Sequence, residues 1–215
     1  MSEEKWPSYR LKSREAGEPV VGSYGGHPRG VRSNRWPRCA VCSNPMCHMA
    51  QIHAGPWLDL GPFRRMSVFI CHATGGRCED WDPWKGANCV LLDDSQDENL
   101  YDGPPTVRVY RRRVLTVAQP LDEHQLMRQV HDQQLTMSDA LDRLRHDKLG
   151  GGAVWLHGDQ TPRSPTGQGP MRLALQMTTE VTNFDITPGG MGYVFVDPHA
   201  PDESVGRLLW QGGVT

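Results

Sequence analysis

Cys39-x-x-Cys42, followed by Cys71 and Cys78, is the arrangement in this chain with the clearest chemistry. A two-residue spacer lets the backbone turn so that both thiolates face one metal ion while nearby amides hydrogen-bond the sulfurs. Cys71 and Cys78 supply a second pair. Four thiolates around zinc make a closed tetrahedral site with no position left for a substrate. The pattern therefore predicts one structural Zn2+ held by Cys39, Cys42, Cys71 and Cys78, with a set of buried free thiols as the competing reading. His48, His53 and His72 stand close enough in sequence to replace a ligand, His72 first because it adjoins Cys71. Cys47 and Cys89 read as core thiols, although Cys47 is also a possible replacement ligand.

A second cluster follows at once. Glu79, Asp80, Trp81, Asp82 and Trp84 form an acidic, aromatic stretch, expected either as a partner-binding surface or as a solvated loop. It opens a wider asymmetry: residues 79–102 are acidic apart from Lys85, while Arg29, Arg32, Arg35 and Arg38 lie in a stretch without acids. Charge complementarity steers association, so the acidic stretch suits a basic partner protein. The net charge of −2 gives no global drive toward nucleic acid or an anionic membrane, and Arg111-Arg112-Arg113 is too short to supply one. No Gly-x-Ser-x-Gly elbow, HExxH helix or glycine-rich phosphate loop appears. The expected catalytic set is therefore empty.

These groups need a scaffold. The 215 residues include 23 Gly and 17 Pro, which favours turns and short strands over long helices. No apolar run reaches the length of a membrane span. Met1-Ser2-Glu3-Glu4-Lys5-Trp6 is polar and unlike an export signal, so a cytoplasmic location is expected, where clustered thiols suit metal better than disulfides.

The pattern also repeats. Gly25-Gly26, Pro45-Met46, Gln51 and Val68-Phe69-Ile70 recur in order as Gly151-Gly152, Pro170-Met171, Gln176 and Val194-Phe195-Val196. The paired glycines read as turns, and Gln51 and Gln176 as buried carboxamides tying backbone groups together. Trp155 and Trp210 read as core or rim packing.

The expected fold is α+β and β-rich: two tandem, mostly antiparallel sheet units joined by a helical connector, with a zinc knuckle in the first copy. The boundaries are a polar segment at 1–21, loosely ordered or an edge strand, a first repeat at 22–117, a connector at 118–148 and a second repeat at 149–215. Val107 to Val117 reads as a strand and Ser138 as a helix N-cap. The second copy carries Pro162-Arg163-Ser164-Pro165 where the first carries its paired cysteines, so it is expected to stand on packing alone.

The residues Gly25-Gly26-x-Pro28, Trp36-Pro37-x-Cys39-x-x-Cys42, Pro45-Met46 and Cys78-Glu79-Asp80-Trp81-Asp82-Pro83 resemble the YwqG-like bacterial family of unknown function. Gly190-x-Gly192-Tyr193-Val194-Phe195 and Leu209-Trp210-Gln211 extend the resemblance through the second copy. The first copy is also similar to the N-terminal domain of eukaryotic programmed cell death protein 2. The resemblance implies a duplicated, sheet-dominated fold, no established catalytic residue, and, through the second relative, a chaperone-like role toward another protein. Three expectations follow: a non-enzymatic, zinc-stabilised protein-interaction module; an immunity protein neutralising a toxin encoded nearby; or an enzyme with a cleft between the repeats.

Overall fold

Short apolar runs bounded by glycine and proline become ten strands and two α-helices among the described residues of the computed structural model. It describes residues 7–14, 18–72, 77–167, 169–178, 189–197, 199 and 206–212. The first strands are β1 (Ser8–Ser13), β2 (Gly22–Tyr24), β3 (Cys47–His53), β4 (Arg65–Ile70) and β5 (Asn88–Asp93). Strand β6 (Arg113–Leu121) leads into helices α1 (Glu123–His131) and α2 (Met137–Leu144). Strands β7 (Lys148–Leu149), β8 (Arg172–Thr178), β9 (Met191–Val196) and β10 (Gly206–Gln211) complete the chain.

All ten strands join one antiparallel sheet in the order β10-β9-β8-β7-β1-β6-β2-β3-β4-β5. The sheet curls until its two ends approach. Gly206 of β10 packs so closely on the Val90 side chain of β5 that a Cβ would not fit, and Trp210 N donates to the Trp81 carbonyl at 3.4 Å. The result is a nearly closed sheet. None of the helices among the described residues is long and apolar enough to cross a membrane.

The N-terminal segment departs from expectation. Strand β1 lies in the middle of the sheet, paired to β6 on one side and β7 on the other. Its alternation is slight, with Leu11 buried inward and Arg10 exposed, yet a strand held on both sides by backbone ladders needs little more. Strand β6 begins at Arg113 rather than Val107 and runs on to Leu121. Residues 110–112 instead close over the paired glycines: Gly26 N donates to the Tyr110 carbonyl at 2.9 Å, and a Cβ on Gly25 would strike the Arg111 carbonyl. Near its far end β6 bulges, with Ala118 and Gln119 opposite Arg10 alone, next to Pro120, which has no amide to give the ladder.

Two helices lie within the stretch expected as a connector, although residues 118–121 extend β6 and Ser138 is not the cap. Thr136 caps α2, its hydroxyl accepting from Asp139 N at 3.1 Å, and Asp122 caps α1 by accepting from Gln125 N at 2.8 Å. Ser138 falls in the first turn of α2.

One core fills the sheet's interior, with Ile52, Met66, Val68 and Leu92 from one end packed with Leu175 and Val194 from the other. Two smaller clusters cover the outer faces. Trp36, Met46 and Phe69 pack outside β3 and β4, and Met171, Tyr193 and Phe195 pack outside β8 and β9 beneath α2.

Candidate metal centre

The four cysteines converge from three backbone segments outside β3 and β4. Cys39 and Cys42 sit on a reverse turn in which Ser43 N donates to the Cys39 carbonyl at 2.8 Å and Cys39 N to the Asn44 carbonyl at 2.9 Å. The turn requires a left-handed backbone at Ser43, with φ of 60°. Trp36 anchors its base: the indole Nε1 donates to the Met46 carbonyl at 2.9 Å, and the ring meets Phe69 edge-on at 5.4 Å. Cys71 follows β4 directly, and Cys78 lies in the loop before β5. Ala40 N donates to the Gly86 carbonyl at 2.9 Å, and Cys71 N to the Ala87 carbonyl at 2.8 Å, tying the segments together. Gly86 has φ of 71°, and a Cβ there would collide with that of Ala40, so only glycine fits.

The four sulfurs all lie within 4.8 Å of one another, with 3.5 Å between those of Cys42 and Cys71. A zinc tetrahedron with bonds of about 2.3 Å places its sulfurs roughly 3.8 Å apart, so the cluster is of the right size. Cys39, Cys71 and Cys78 are buried, Cys42 is half-buried, and all are free thiols. The four lie close together and could hold a metal ion. The Cys42 thiol is lowered to about 7, first by the Asn44 backbone N–H and then, against burial, by the Cys71, Cys39 and Cys78 sulfurs. A ligand must give up its proton to bind, so this environment favours the form a metal takes.

The other candidate ligands are not among the four grouped sulfurs, and Cys89, read as a core thiol, packs against the same cluster. Cys47 packs in the interior core, and burial raises its thiol. Cys89 is pushed up to about 11 by burial. His48 lies under the paired glycines, its Nδ1 at 3.0 Å from the Gly26 carbonyl, and burial lowers it to about 4. His53 ends β3, half-buried. The ring of His72 lies against Tyr110 at 5.8 Å.

The acidic, aromatic stretch is a loop laid across the gap between β5 and β10. Asn88 Nδ2 holds it by donating to the carbonyls of Asp80 at 2.8 Å and Asp82 at 3.1 Å. Asp80 points inward, its carboxyl raised by burial and its Oδ1 without a partner among the described residues. Trp81 meets Trp210 edge-on at 5.9 Å, and Arg207 stacks on Trp84 at 4.9 Å. Glu79 is exposed and pairs with Lys85 at 3.3 Å. The Trp81 and Trp84 rings still show substantial surface, Trp84 being 59% exposed.

The acidic and basic stretches meet each other. Arg32 pairs with Asp97 at 3.0 Å, Arg35 with Asp93 at 3.6 Å, and Arg29 with Glu98 at 3.9 Å. Buried Arg65 completes the group, bonding Asp93 at 2.9 Å, Glu98 at 3.3 Å and the Asp97 carbonyl at 2.9 Å. Asp97 is lowered to about 2, chiefly by the Tyr101 hydroxyl, then by the Asn99 amide, with Arg32 adding to both. Opposite charges far apart in sequence are here two sides of one seam.

Outside β8 and β9 lies a cluster of oxygen atoms. Arg163 bridges Pro170 there as Arg38 bridges Pro45 beside the cysteines. The Ser164 hydroxyl donates to Asp197 Oδ2, which also accepts from Thr166 Oγ1 at 3.0 Å, while Asp197 Oδ1 accepts from His199 N at 2.9 Å. This polar cluster corrects the expectation of packing alone. Its one sequence signal is that Asp197 follows β9 directly, as Cys71 follows β4.

Fold and site together define a β-rich protein with a nearly closed antiparallel sheet and a four-thiol group able to hold a metal. No protein-family model matches the chain, and no curated protein matches it.

Proposed function

We propose that this chain is a non-enzymatic protein-interaction module whose fold is held by one structural Zn2+ on Cys39, Cys42, Cys71 and Cys78. The observation that carries the reading is the convergence of four thiols within 4.8 Å, three of them buried. Such a donor set suits zinc and fills every position on it, which gives the ion a folding role and no catalytic one. Bound metal adds its binding free energy to folding, because the unfolded chain has no preformed site.

The interaction surface lies beside the centre. Val41 at the tip of the turn is 57% exposed, and Trp81 and Trp84 are exposed on the adjoining loop. Ala40 and Gly86, which touch, bring these two segments together. Amphipathic tryptophans with an apolar neighbour suit a protein partner. Asp93, Asp97 and Glu98 are engaged by the chain's own arginines and Glu79 by Lys85, so a preference for a basic partner would rest on Asp82.

The tandem-copy reading belongs to the same proposal. Gly25 N donates to the Met49 carbonyl as Gly150 N donates to that of Ala174. Met46 N donates to the Pro37 carbonyl as Met171 N donates to that of Pro162. The β3–β4 ladder slips between His48 and Ala50, and the β8–β9 ladder between Leu173 and Leu175. All these pairs are separated by one constant interval along the chain. The proposed copies differ in that one carries sulfur where the other carries Ser164 and Asp197.

Affinity capture with the zinc-loaded chain and with Trp84→Glu tests the interaction. The expected result is one host protein retained by the first and lost by the second, then reconstituted as a complex from purified components. Equal retention by both would remove the proposed surface.

A further inference from the structure

The ends of the sheet, β5 and β10, face each other without a ladder between them. What spans the gap is the loop that begins at Cys78. Three residues beyond that ligand, the Trp81 carbonyl accepts from Trp210 N at 3.4 Å and the two indoles meet edge-on. Further on, Trp84 receives the Arg207 guanidinium on its ring. At its other end, Gly86 is bonded to Ala40 between the ligands Cys39 and Cys42. Both ends of the bridging loop are thus fastened to the thiol cluster.

Closure has an opposing cost. Trp210 Nε1 and Asp80 Oδ1 are buried at this seam with no hydrogen-bond partner among the described residues, and each would regain water if the loop lifted. An ion bound to Cys78 and the paired cysteines would hold the loop against that cost, because the loop cannot move away without stretching a coordination bond.

We infer that metal at the four thiols acts as a latch on the sheet, holding the Trp81–Trp84 loop across β10. This rests on the proposed metal reading. When the ion leaves, the loop swings off β10, Trp81, Trp84 and Trp210 gain solvent, and the unpaired edges of β5 and β10 open. Strands β7, β8 and β9 keep their ladders, since the loop's bonds among the described residues go to β10, Asn88 and Ala40.

The test uses the full chain loaded with zinc and then stripped with a high-affinity chelator, following metal content, tryptophan emission and amide hydrogen exchange together. The latch predicts a red-shifted emission and exchange on the order of tenfold faster across residues 206–211, with residues 172–177 unchanged. Loss of zinc with no change at 206–211 overturns the latch and leaves the metal site standing. Collapse of protection at 172–177 as well overturns it in favour of global unfolding. Failure of purified or reconstituted protein to hold zinc overturns the metal reading and the latch with it.

Trp81→Ala supplies an arm that touches no ligand. Coupling between sites is reciprocal, so freeing the loop should weaken zinc by roughly fivefold in a chelator competition. An unchanged zinc affinity in a folded Trp81→Ala variant would show that seam and metal are uncoupled.

Discussion

Gln51 of β3 and Gln176 of β8 each tie neighbouring backbone to the sheet through both groups of the carboxamide. Gln51 Oε1 accepts from Arg29 N at 3.0 Å, and its Nε2 donates to the Arg29 carbonyl at 2.9 Å. Gln176 Oε1 accepts from Val154 N at 2.9 Å, and its Nε2 donates to the carbonyls of Leu144 at 2.9 Å and His146 at 3.0 Å. Each carboxamide stands in for a missing strand. Gln176→Leu would leave Val154 N and the His146 carbonyl buried and unpaired at once, the Leu144 carbonyl keeping its bond from His146 N. We expect it to lower stability by about 2–4 kcal/mol in urea unfolding, since each orphaned group costs ~1–3 kcal/mol. A loss below that of an ordinary surface substitution would mean that water replaces the clamp.

The thiol centre makes a compositional prediction. Elemental analysis of purified protein should find about one zinc per chain, as a four-thiolate site requires. Cys42→Ser removes the half-buried ligand with little change of volume. Its expected effect is loss of zinc and a Tm lower by roughly 10 °C, because binding free energy in such a site is folding free energy. A wild-type melting curve in zinc-free Cys42→Ser would show that the cluster is a set of core thiols.

Local chemistry was legible in the sequence, and long-range pairing was not. The cysteine spacing pointed to a group that the fold does assemble, and the two glutamines were readable as backbone clamps because each sits in a short apolar strand. The central place of strand β1 is hidden, since nothing in Ser8–Ser13 announces partners as distant as Leu121 and Leu149. Arg32 and Asp97 looked like two separate loop charges for the same reason. The cap of α2 went to Thr136 rather than Ser138 because both are capping residues, and only the backbone decides which has extended dihedrals. The oxygen cluster at Ser164 and Asp197 leaves only a faint trace in the sequence, an aspartate directly after β9, because no metal-like spacing marks it.

A buried ion pair gives a prediction with a built-in rescue. Lys148 is fully buried in β7, its Nζ donating to Glu123 Oε1 at 2.6 Å and to the Gly152 carbonyl at 2.7 Å. Glu123 Oε2 accepts from Gly152 N at 2.9 Å, so the first residue of α1 fastens the helix to the sheet. Burial lowers the Lys148 ammonium, while Glu123 opposes the shift. Glu123→Ala strands the ammonium and should cost about 3–5 kcal/mol. Adding Lys148→Met should recover most of that loss in thermal unfolding. A double variant as unstable as the single one would show that Glu123 acts through Gly152 alone.

Acid sensitivity should arise in the second half as well as at the thiols. His146 is buried, and its imidazole is lowered to about 4, first by burial and then by the Arg10 and Lys148 charges, against Glu123. The ordinary value of an exposed histidine is about 6.5, so the unfolded chain binds this proton more readily than the folded one. The neutral ring therefore contributes stability fully above about pH 6.5, and that contribution is lost as pH falls toward 4. The slope over this interval approaches at most about 1.4 kcal/mol per pH unit for one group. His146→Gln removes the titration while keeping a polar side chain of similar size. Denaturant midpoints taken from pH 7 to pH 4.5, with zinc content followed in parallel, should show a shallower decline in the variant than in the parent. Identical slopes would place the acid sensitivity elsewhere, with His48, whose ring is lowered to about 4 by burial beneath Gly26, as the next residue to replace.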